Sequence, residues 1–116
     1  MLTEKQEKDL VDFLAEVYIR IPWGKMRTRH NPHDIFNHRV RSAGRSATLY
    51  QFASRLNNYF GLQTQSEMAQ ELIDRLRPHE NEVLNAIATE HIPLCVRACA
   101  IAKKIKEERR NKDGDN

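Results

Sequence analysis

The sequence predicts an all-α protein, a compact bundle of five to six short antiparallel helices. Three observations carry that expectation. Apolar residues recur at the three- and four-residue spacing of a helix in nearly every segment, no run alternates as a half-buried strand does, and the breaks between segments fall at proline or glycine. At 116 residues, the chain has room for one core. Connections of a few residues favour antiparallel neighbours, and no heptad pattern lasts long enough for a coiled coil.

Thr3 and Gln6 have the spacing of a capping box. Behind them Leu10, Phe13, Leu14, Val17, Tyr18 and Ile21 mark one face of a first helix over about residues 4–20. Pro22, Trp23 and Gly24 break it, and residues 22–31, without any apolar period, read as a basic loop anchored by one tryptophan. Asn31-Pro32-His33-Asp34 then supplies an N-cap, a proline at the first helical position and a first-turn carboxylate. A second helix follows to about residue 42, and Ala43-Gly44 should end it through the left-handed conformation that glycine tolerates.

Ser46 is placed to cap a third helix whose apolar face comprises Leu49, Tyr50, Phe52, Ala53, Leu56, Tyr59 and Phe60, with Gly61 as its stop. Ser66 or Thr64 opens a fourth, with Met68, Ala69, Leu72, Ile73 and Leu76 inward and Pro78 at its end. A fifth, over about residues 79–90, carries Val83, Leu84, Ile87 and Ala88; Pro93 starts a sixth with Leu94, Val96, Ala98, Ile101, Ala102 and Ile105 inward. Residues 1–106 read as a single helical domain and 107–116 as a charged, disordered tail.

No apolar run has the ~18–20 residues of a membrane span, and the polar, acidic MLTEKQEKDL is unlike a signal peptide. Cys95 and Cys99, four apart in a helix, are poorly set for a disulfide and read as reduced, buried thiols. The expectation is a cytoplasmic protein.

Charge is polarised along the chain. Residues 20–55 hold eight Lys and Arg against Asp34 alone, a net +7, whereas residues 1–19 and 56–102 are each −3 and the last fourteen are +2. Within this basic region RTRHNPHDIFNHRVRSAGRS has five arginines and three histidines. Arginine offers phosphate a planar fork of donors, and the N–H groups at the starts of the second and third helices, with Ser42, Ser46 and Thr48, add more. The candidate nucleic-acid-binding residues are Lys25, Arg27, Arg29, Arg39, Arg41 and Arg45, with Trp23 available to stack on an unpaired base. Single-stranded nucleic acid or RNA is therefore as plausible a partner as duplex. The competing structural use is that Trp23 packs on the core and the arginines are solvated or paired with the acidic helices.

Other chemistries fit less well. The helix pairs over 32–60 and 65–87 imitate a helix-turn-helix weakly: in the first the large residues of the second helix are needed for core, and in the second Arg-Pro-His stands where a glycine turn belongs. His30, His33 and His38 lie among arginines, a poor setting for a cation, and neither they nor Cys95 and Cys99 form a standard zinc pattern. His33-Asp34 and His30-Asn31 imitate fragments of phosphohydrolase and nuclease sites, with no convincing partner in Asp74, His79 or His91.

The expectation is thus a non-enzymatic nucleic-acid-binding protein without metal or cofactor, acting alone or as a small subunit of a larger assembly. The alternative is a protein-interaction module that meets an acidic partner or a second copy through complementary basic and acidic faces. At the level of fold alone, that would resemble death-fold adaptor bundles.

Overall fold

The computed structural model describes residues 2–26, 29–62 and 67–114, of which Glu67–Ala69, Leu72 and 112–114 are described by backbone alone. Every regular element among them is helical. Helix α1 (Glu4–Arg20) opens with the capping box: Thr3 accepts from the Gln6 amide and the Gln6 side chain reciprocates. A 3-10 turn over Trp23–Lys25 leads towards α2 (Pro32–Ala43), whose N-cap Asn31 accepts from His33 N at 2.9 Å. Helix α3 (Leu49–Phe60) ends at Gly61 in the left-handed conformation, φ 65°. Helix α4 (Glu67–Leu76) passes through a 3-10 turn containing Pro78 into α5 (Glu80–Gly114).

Several local expectations are corrected. Helix α3 is capped by Thr48, whose side chain accepts from Gln51 N; Ser46 instead is buried and donates to the Ala43 carbonyl. Gly44 is right-handed, with φ −65°, so handedness is not why glycine stands there. A Cβ would sit 2.4 Å from Ile87 Cγ2, and the missing side chain is what lets the end of α2 lie against α5. The expected caps Thr64 and Ser66 lie outside the described residues.

The largest correction concerns the C-terminal half. The segments expected as fifth and sixth helices are one, α5, with a bend at Glu90 (φ −127°, ψ 23°). Proline lacks the N–H that would bond four residues back and its ring crowds that carbonyl, so Pro93 bends the helix just before itself. Burial on both sides of the bend, by Ile87 and Leu94, holds the two parts in one path. The framework is therefore four helices, α1, α2, α3 and the long α5, with the ten-residue α4 against α1, rather than five to six. The helix continues through 107–114, the start of the expected tail, and residues 107–111 are exposed.

Helix directions are mixed. His33 lies beside Cys99 and Gly44 beside Ile87, so α2 runs against α5. Glu7 pairs with Arg97, whereas Lys106 lies 5.5 Å over Tyr18, so α1 and the distal part of α5 run in the same direction. Three helices separate α1 from α5 in the chain, and short connections constrain only consecutive elements.

The core joins Leu10, Leu14, Phe36, Val40, Phe52, Leu56, Ile87 and Leu94, each almost fully buried. Phe36 organises one end of it, with Tyr18 edge-on at 5.2 Å and Phe60 stacked at 5.7 Å. Burial of such side chains stabilises by roughly 1.5–3 kcal/mol each. Val96, expected inward, is 61% exposed, and Tyr50 and Tyr59 lie on the exposed rim of α3. Leu94, Ala98 and Ala102, spaced by four, make the buried stripe of α5, with Val96 outside it. Among the described residues, no helix is long and apolar enough to cross a membrane.

Candidate nucleic-acid interface

Helix α2 sets the spacing of the basic residues. Lys25 and Arg29 precede its first turn, while Arg41 and Arg45 stand at its end, and all four are exposed. Twelve residues at 1.5 Å each give α2 itself a length of about 18 Å. In chain order the basic residues therefore flank the two ends of this helix. Arg27 lies outside the described residues.

Arg39 belongs to the packing. Its guanidinium donates to the Tyr59 carbonyl and lies 5.3 Å over the Phe60 ring, which ties α2 to the last turn of α3. Cation–π contact together with a bond to an orphan C-terminal carbonyl gives this side chain a local task. Trp23 has one as well. Its indole N–H donates to the Tyr18 carbonyl at 3.0 Å, and its ring packs 5.0 Å from Tyr18 and 6.4 Å from Phe60. This half-buried indole anchors the loop, the arrangement that competed with base stacking in the sequence.

The helix starts are occupied too. In α3 the Leu49 amide donates to Glu80 Oε1 at 2.7 Å and the Gln51 amide to Thr48, so the protein's own carboxylate satisfies the site where a phosphate was expected. In α2 Asn31 takes the His33 amide. The donor set that remains outward is side-chain charge.

These cations enter no ion pair with a described residue, as is also true of Lys5, Arg55, Arg77, Lys103 and Lys104. The ion pairs among the described residues join Lys8 to Asp12, Arg20 to Glu16, Arg75 to Asp9 and Glu71, and Arg97 to Glu7. None uses Lys25, Arg29, Arg39, Arg41 or Arg45. The field of Arg41 is felt by His91 on α5, whose half-buried ring titrates below the ordinary histidine value, first through burial and second through Arg41. His30, Asp34, Ile35, His38 and Arg39 line a shallow groove of about 390 Å³. Among the described residues no three His, Cys, Asp or Glu side chains are grouped to hold a metal ion.

Sequence reasoning missed Glu80, which is 31 residues from the amide it caps, and it treated Arg39 like its neighbours. The available signal for Arg39 was position: residues 36, 39 and 40 share the inward side of α2, with Phe36 and Val40 buried. Comparison of the chain with protein-family models, with curated proteins and with solved structures finds no match.

Proposed function

We propose that this chain is a non-enzymatic nucleic-acid-binding protein, or a small subunit of a nucleic-acid-associated assembly, that contacts phosphates along α2 through Lys25, Arg29, Arg41 and Arg45. The observation that carries the reading is the state of these four side chains: exposed, and in no ion pair with a described residue although the protein bears acidic helices elsewhere. Solvated cations at both ends of one helix suit a charged backbone that passes along it, and such contacts are blind to base sequence. Arg39 and Trp23 support that surface from beneath.

Fluorescence anisotropy of labelled single- and double-stranded DNA and RNA, titrated at several salt concentrations, tests this. Four phosphate contacts predict a slope of log affinity against log salt of about −3.6 on duplex DNA or about −2.8 on a single strand. Absence of binding at low salt overturns the reading.

A second reading is favoured by one observation. Ile92 and Val96, one turn apart on α5, are 53% and 61% exposed, an apolar strip that suits a protein partner. On that reading Val96→Glu abolishes association and leaves the basic residues around α2 without effect on it.

A further inference from the structure

We propose that Cys99 is a thiol–disulfide exchange site, with His33 as its base and a small anionic disulfide as co-reactant. The two residues lie 66 apart in the chain, and the fold places Cys99 Sγ 3.2 Å from His33 Nδ1. That is the reach of a nucleophile to its base. His33 is fixed at two further points: its backbone amide donates to the Asn31 cap, and its ring stacks on Tyr18 at 5.9 Å and 13° between planes. A base so positioned keeps Nδ1 aimed at the sulfur, as acceptor when its own proton sits on Nε2.

The pair opens on a groove between α2 and α5. Its volume is about 360 Å³, and His33, Asn37, Val96, Cys99 and Lys103 line it. That size is within the range of small-molecule sites. Lys103 stands one helical turn beyond Cys99 and is exposed, so the groove places a fixed positive charge beside the sulfur and favours an anionic reagent.

The second thiol supplies an internal contrast. Cys95 also lines the groove, but it is fully buried, and burial, with Cys99 adding, pushes its thiol up to about 12. Cys99 is also raised by burial, while Lys103 pulls it back down. Two sulfurs one turn apart therefore meet different surroundings, and only one of them is bonded to a base.

The step balances without a further oxidant. As the Cys99 sulfur attacks the disulfide, its proton passes to His33 Nδ1. The Cys99 S–S bond forms, the reagent's S–S bond breaks, and the departing thiolate takes the proton from the imidazolium. One thiol and one disulfide become a mixed disulfide and one free thiol.

The test uses the 116-residue chain, oxidised glutathione as the anionic probe and bis(2-hydroxyethyl) disulfide as a neutral one, with adducts located by intact-mass and peptide mass spectrometry. The expected result is a single adduct at Cys99, formed equally well in Cys95→Ser. His33→Asn slows it about a hundredfold, the lower end of what a positioned base contributes. Lys103→Gln, at an exposed position with no effect on folding expected, slows the anionic probe more than the neutral one, because loss of the charge weakens attraction of the anion in addition to its effect on the thiol. Labelling of Cys95 and Cys99 at equal rates, indifferent to His33→Asn and to probe charge, would mean that both thiols react only when the bundle opens, and the proposal would be overturned.

Discussion

Gly44 and Gly61 both follow the last residue of a helix, yet a side chain is unwelcome at each for a different reason. At Gly61 the backbone is left-handed and open to solvent, so Gly61→Ala should cost about 1–2 kcal/mol in strain alone. At Gly44 the backbone suits any residue, and the added methyl meets Ile87. Overpacking of that kind costs about 1–3 kcal/mol. Gly44→Ala should therefore lower the thermal midpoint, and its cost should shrink in an Ile87→Ala background, a coupling that a double-mutant cycle measures. His91 adds a pH dependence. Its Nδ1 is buried with no hydrogen-bond partner among the described residues, and the folded protein holds its pKa below the ordinary value. The unfolded chain then takes up the proton first as pH falls, so stability is full above about pH 6.5 and declines on acidification through the folded value. Urea unfolding at about pH 7.5 and pH 5 should show that loss in the wild type and a smaller one in His91→Gln.

Among the elements, α3 depends on a residue from another helix. The Glu80 carboxylate at the start of α5 accepts from the first amide of α3, where helix-dipole and hydrogen-bond contributions add. Glu80→Ala should cost about 1 kcal/mol and speed hydrogen exchange at the Leu49 amide, while exchange in α1 should not change. The starts of α1 and α2 were legible in sequence because Thr3, Gln6 and Asn31 act on their own helices. Helix α5 was misread at Pro93 for the converse reason. Proline breaks an isolated helix at a cost of about 3 kcal/mol, but burial of Ile87 and Leu94 on either side sustains one bent helix here. Ser46 lost the cap of α3 to Thr48 because its hydroxyl found a carbonyl at the end of α2.

At the scale of the molecule the arginines separate into support and surface. Arg39→Gln should destabilise the bundle, visible in its thermal midpoint, and leave the salt slope of nucleic-acid binding unchanged. Arg41→Glu with Arg45→Glu should do the reverse: a native helical circular dichroism spectrum and a slope shallower by about two phosphate contacts. Sequence alone determined the all-helical class, most helix boundaries and the excess of charge around α2, because apolar period, capping chemistry and composition act over a few residues. Which helices run alongside one another, that Arg39 and Trp23 face inward, that Glu80 occupies the start of α3 and that His33 meets Cys99 were decided only by tertiary structure. Each of those contacts except Trp23's joins residues 20 or more apart in the chain. Local period sets which side of a helix is buried, but packing chooses the side chains that meet there.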